Sequence, residues 1–141
     1  MLRTLTALML MSLPLAAQTP DAPRPAADID IADYLWTHRP LVVFADSPAD
    51  PRFVEQMTLL QAGAADLLER DVIVITDTAP AEPSALRQKL RPRGFSLVLI
   101  GKDGSVKLRK PLPWDVRELR RSIDKMPMRQ QEIRARRAAK G

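Results

Sequence analysis

The chain has 141 residues, a length that fits one domain, and its 45% apolar and 28% charged residues exclude a collagen, a long coiled coil and a fully disordered chain. It has no cysteine and a single histidine, which excludes disulfides, thiolate nucleophiles, zinc–thiolate sites and cysteine-ligated iron–sulfur clusters and gives no reason to expect a cofactor or metal centre. The net charge of +5 is split along the chain: residues 1–86 carry 5 Lys/Arg against 12 Asp/Glu, and residues 87–141 carry 17 against 5.

Residues 1–17, MLRTLTALMLMSLPLAA, read as a signal peptide. Arg3 supplies the positive region, Leu5 to Leu15 an apolar stretch too short to span a membrane, and Ala16 and Ala17 the small residues before the cut. No later segment is apolar for long enough to cross a bilayer. The expectation is an exported protein, periplasmic or secreted, with no transmembrane segment after cleavage. Residues 18–28 are proline-rich and read as a solvated linker.

The folded region is expected over residues 29–126. Residues 29–37 form a short helix that brings Tyr34, Leu35 and Trp36 near the core. Residues 39–45, RPLVVFA, are a buried strand. Asp50 is a good N-cap and Pro51 fits the first helical position. Phe53, Met57, Leu60, Ala64, Leu67 and Leu68 then recur at three and four spacing, which predicts one amphipathic helix over 51–69. Residues 71–76, DVIVIT, are a second strand and residues 83–90 a short helix ended by Pro92. Residues 95–100, FSLVLI, are a third strand. Lys102-Asp103-Gly104 is a tight turn leading to a fourth strand over 105–109. Residues 114–125 are a helix with Trp114, Leu119 and Ile123 inward. Met126-Pro127-Met128 breaks it, the methionines reading as gap-fillers. Residues 127–141 are a basic helical tail with too little apolar surface to be core.

The order β-α-β-α-β-β-α predicts an α/β sheet with helices on both faces. Its first three strands are expected to be mutually parallel, with right-handed crossovers and the hairpin strand at the edge.

This order resembles the thioredoxin fold over most of 39–125. PLVVFADSPADPRFVEQ looks like its first strand, redox loop and first helix, and GFSLVLIGKDGSV like its third strand, turn and fourth strand. The resemblance puts Ala49-Asp50-Pro51-Arg52 where a CxxC would stand and Ser96 where that fold keeps a cis-proline. Without an attacking thiolate the chain is not a thiol–disulfide oxidoreductase. A closer resemblance rests on RPLVVFADSPADPRFVEQ, ERDVIVI, LIGKDGSVKLRKPLPW and IDKMPMRQQEIRAR. These segments are similar to the secreted family called domain of unknown function 4174, related to domains in sushi-repeat and coiled-coil-domain extracellular matrix proteins. That resemblance implies export, a thioredoxin-like α/β sandwich, and an adhesion- or matrix-type binding role, with no catalytic residues to carry across.

The expected function is therefore a non-enzymatic binding module. Ligands of open α/β sheets favour the C-terminal strand ends, so Asp46, Ser47, Asp50 and Arg52 are candidate binding residues at the former redox loop. The alternative is an enzyme of non-thiol chemistry using Asp46, Asp50 and Arg52, which would need a partly buried acid cluster with shifted pKa values. His38 reads as an exposed residue before the first strand rather than a base for Ser47, because no GxSxG elbow is present. The basic half adds Lys102 and Arg129 as candidate contacts. Arg117, Arg120 and Arg121 share a helix face by their spacing. Together these charges point to an acidic protein surface or an anionic envelope component. Nucleic acid is not expected, because the basic region offers one tryptophan, read as core, and no stacking platform.

Overall fold

A computed structural model describes residues 22–141. The chain forms a five-stranded sheet whose strands are β1 (Arg24–Pro25), β2 (Arg39–Phe44), β3 (Val72–Asp77), β4 (Ser96–Ile100) and β5 (Val106–Lys110). Their spatial order is β1-β3-β2-β4-β5. The helices are α1 (Pro51–Ala62), α2 (Ala64–Glu69), α3 (Ala85–Leu90), α4 (Val116–Asp124) and α5 (Pro127–Lys140). Among the described residues, no helix is long and apolar enough to cross a membrane.

Strand alternation divides the core between two faces. Leu41, Val43, Val72, Leu97 and Leu99 face α1, α2 and α4, and meet Leu60, Leu67, Val116, Leu119 and Ile123. Val42, Phe44, Ile73, Ile75, Val98 and Ile100 face the opposite way, toward α3, and meet Leu86 and Leu90. Every residue of β2 is buried, which fits a central strand flanked by β3 and β4. Pro40 stands one position before the β2–β4 pairing begins at Leu41, so its missing N–H removes no ladder bond there.

Strand direction differs from the sequence expectation. β2 and β3 are parallel, but β4 runs antiparallel to β2, with Phe44 opposite Ser96 and Leu41 opposite Leu99. The reason is the connection. α3 has six residues and rises about 9 Å, whereas β2 is about 20 Å long. The short segment stays near the end where β3 finished, and the chain enters β4 from that end.

The helix expected over 51–69 is two helices, α1 and α2, separated at Gly63. A Cβ on Gly63 would lie 2.5 Å from the Val116 side chain, so α4 packs directly over this break. Gln56, fully buried on α1, fixes the approach to α4. Its Nε2 donates to the Trp114 carbonyl at 2.8 Å, and the Trp114 N–H donates to Oε1 at 2.9 Å.

The segment before β2 also departs from expectation. Arg24 and Pro25 pair in parallel with Ile75 and Thr76, and Ala26 is buried, so this part of the proline-rich stretch joins the sheet. Residues 29–37 contain a single 3-10 turn, Ile31–Tyr34, rather than a helix. Ile29, Ile31 and Tyr34 pack on the α3 face, but Trp36 is 65% exposed at φ +66° with its N–H donating to the Lys102 carbonyl.

Candidate functional site

The loop after β2 and the start of α1 carry the residues expected at the former redox position. Asp46, Ser47 and Ala49 are exposed. Ser47 Oγ accepts from the Ala49 N–H at 3.1 Å, and its carbonyl accepts from the Asp50 N–H. Asp50 caps α1 by accepting from the Arg52 N–H at 2.9 Å, and its carboxylate also meets the Arg52 guanidinium at 3.4 Å. The Arg52 N–H holds the Asp50 carboxyl below its ordinary value. The Arg52 guanidinium lies 5.8 Å from the Phe95 ring, next to Ser96 at the start of β4. Apart from Asp46, these groups are occupied by one another, a capped helix start rather than a set of reactive groups. Among the described residues no three acidic or histidine side chains stand together as metal ligands. His38 precedes β2 and bonds Thr37 Oγ1, while Ser47 lies beyond the far end of that strand, which is itself about 20 Å long.

Under this loop lies a buried ion pair that sequence reading did not single out. Asp77, at the end of β3, accepts from Arg87 Nε at 3.1 Å, from Arg87 Nη2 at 2.9 Å and from Ser84 Oγ at 2.6 Å. Burial would raise the Asp77 carboxyl; the bonds from Arg87 and Ser84 outweigh it and hold it below its usual range. Arg87 also donates to the Ala45 carbonyl at 3.0 Å, so α3 is tied to the end of β2.

A larger charged cluster closes the opposite end of the sheet. Arg39 is 1% exposed and donates to Glu132 at 2.9 Å and 3.3 Å and to the Arg70 carbonyl at 2.8 Å. Lys102 meets Glu132 at 2.7 Å and Asp71 at 2.8 Å. Arg129 meets Glu132 and Asp124, both at 3.3 Å, and Arg70 grips Asp124 at 2.9 Å and 3.0 Å. Burial would raise the Glu132 carboxyl, but the hydrogen bonds from Arg39 and Lys102 bring it down to about 2. Lys102 and Arg129, expected as surface contacts, are buried here as structural charges. α5 docks through these pairs in place of an apolar stripe. The signals for this cluster were an arginine directly before an apolar run at Arg39 and the MPMRQQE segment, but a pair separated by 93 positions leaves no local pattern.

The remaining basic residues of α4, α5 and the join between them differ in whether an acid faces them. On α4, Arg120 meets Asp66 at 3.4 Å, whereas Arg117, Arg121 and, just past the helix end, Lys125 are exposed at four-residue spacing. On α5, the exposed Arg136 meets Glu69 at 3.8 Å, and Arg134, Arg137 and Lys140 are exposed as well. Arg136 aside, none of these six exposed cations has an acidic partner within ion-pair distance among the described residues.

Comparison with known proteins follows this geometry. The sequence profile of the domain of unknown function 4174 matches residues 30–132. No curated protein matches the chain. Among solved structures, the reduced 2-Cys peroxiredoxin of Plasmodium vivax is similar at a TM-score of 0.58 and 13% identity, covering 73% of this chain and 85% of that one. Chloroplastic thioredoxin z is similar at 0.55 and 17%, covering 74% and 96%. Thioredoxin peroxidase I of Plasmodium yoelii is similar at 0.52 and 16%, covering 73% and 80%. At these identities the likeness concerns the fold alone. With a thioredoxin-like sheet and a profile match running from Asp30 to Glu132, the chain belongs to the family defined by the domain of unknown function 4174.

Proposed function

We propose that this protein is an exported, thioredoxin-like binding module that performs no thiol chemistry and engages an anionic partner, an acidic protein surface or an anionic envelope component. The observation that carries the reading is the surplus of charge on and beside α4 and α5: Arg120, Arg129 and Arg136 have acidic partners, whereas six further exposed cations have none among the described residues. The absence of cysteine from the whole sequence supports the first half of the reading, and the mutual engagement of Asp50 and Arg52 supports a loop without reactive groups. The signal-like residues 1–17 support export. Lys102 and Arg129 are not contact residues in this reading, because both are buried in ion pairs.

The test uses the full mature chain immobilised against envelope extract. A retained component should elute at ~0.5 M salt, where screening shortens to a few ångströms. Retention that salt does not weaken, or no retention at all, overturns the anionic-partner reading. Insulin reduction should stay at background, and turnover by the purified protein would overturn the non-enzymatic half.

A further inference from the structure

We infer that the outward cations of α4 and α5 form a seat for the phosphate groups of an anionic phospholipid surface. This rests on the anionic-partner reading and commits it to one partner. Arg117 and Arg121 on α4, Lys125 just past its end, and Arg134, Arg137 and Lys140 on α5 are all exposed. Only Lys125 and Met126 separate the two helices, so the last turn of α4 adjoins the first turn of α5 and the two sets stand on consecutive elements.

These charges are not spent on the fold. Arg70, Arg120, Arg129 and Arg136 already hold the two helices to Asp66, Glu69, Asp124 and Glu132. Of the acids on α4, Asp124 is engaged by Arg70 and Arg129, which leaves Glu118 as the exposed acid of that helix. Four of the six outward cations are arginines, whose planar forks match phosphate oxygens two at a time.

The chemistry of these exposed positions favours a headgroup layer over a protein. Protein partners bind through desolvated aromatic and apolar anchors. The exposed positions of α4 and α5 are Arg117, Glu118 and Arg121, then Pro127, Gln130, Gln131 and the Arg/Ala/Lys run from Arg134, with no aromatic residue among them. A phosphate layer requires no such anchor, since surface potential attracts each cation within a Debye length of about 8 Å at physiological salt.

The experiment is cosedimentation of the full mature chain with phosphatidylcholine vesicles prepared with and without phosphatidylglycerol. Binding should require phosphatidylglycerol and fall with salt. Two double variants, Arg117→Gln with Arg121→Gln and Arg134→Gln with Arg137→Gln, should each weaken it by roughly 25-fold, about fivefold per cation removed. Arg91→Gln with Arg93→Gln removes the same charge from exposed positions between α3 and β4 and should leave binding within about twofold of the parent, a margin well inside the effect of one cation. All three variants should melt with the parent, since the residues are exposed. No binding to phosphatidylglycerol, or equal losses in all three variants, overturns the inference. Failure on vesicles alongside salt-eluted capture from envelope extract sinks the lipid seat alone; failure of both sinks the anionic-partner reading with it.

Discussion

Glu132 is held by Arg39 and Lys102, and that fixes how the protein should respond to acid. Its carboxyl is lowered from 4.5 to about 2, so its stabilising contribution is complete above pH 4.5 and is lost as pH falls from there toward 2. Melting temperature should be level above pH 5 and drop below it. Glu132→Gln should lower stability at neutral pH by about 1–3 kcal/mol, a range that allows for solvent near the partly exposed carboxylate, and should flatten the acid drop. Circular dichroism melts across pH check this, and parallel profiles for parent and variant would refute it. Trp36 offers a contrasting case. Its φ of +66° costs an L-residue about 1–2 kcal/mol, and its ring is mostly in water. Trp36→Gly should be neutral to about 1 kcal/mol more stable in urea unfolding, because glycine relieves the strain but loses more chain entropy. A clear destabilisation would mean that the indole packs more than its exposure suggests. The expectation that Trp36 lies near the core fails, and nothing in the sequence singled out Glu132. Buried charge is rare enough that Lys102 and Arg129 passed for surface groups, and a tryptophan beside Tyr34 passed for core, because burial depends on partners far along the chain.

At the scale of elements, what could be read is what is local. The strand cores of β2, β3 and β4, the Asp50 cap and the turn before β5 follow from apolar runs and turn chemistry. The direction of β4 does not, since a strand has the same side-chain period whichever way it runs. The break at Gly63 was hidden for a related reason: apolar spacing continues across it, and only the approach of α4 makes the missing side chain matter. Gly63→Ala should therefore overpack the α1–α2–α4 junction and cost about 1–3 kcal/mol, read from the denaturation midpoint. Arg87→Met should cost more, about 3–5 kcal/mol, because it leaves the buried Asp77 carboxylate without its cation at the join of β3 and α3. A loss near zero in Arg87→Met would mean that Ser84 and the Ala79 N–H suffice for Asp77.

For the molecule as a whole, charge does two separate jobs. Inside, it fastens α5 to β2 and to the turn at Lys102; outside, on α4 and α5, it remains available. The uneven balance of the two halves was visible in the sequence, but its division into fastening and surplus needed coordinates. The proposed export is tested at this scale too. Protein recovered from outside the cytoplasm should begin near Gln18 by intact mass, and material that retains Met1 there would contradict cleavage after Ala17.

The Arg39–Glu132 contact makes the last helix a closing step in the life of the chain. Arg39 sits in the central strand, yet its counter-ion is synthesised more than ninety positions later. Without that carboxylate the buried guanidinium would keep the Arg70 carbonyl as its one hydrogen-bond acceptor among the described residues. Shortening the protein from its C-terminus should thus cost little stability while Glu132 is kept, since only the exposed Arg136–Glu69 contacts are lost, and should become abruptly damaging once Glu132 is removed, where the family profile stops.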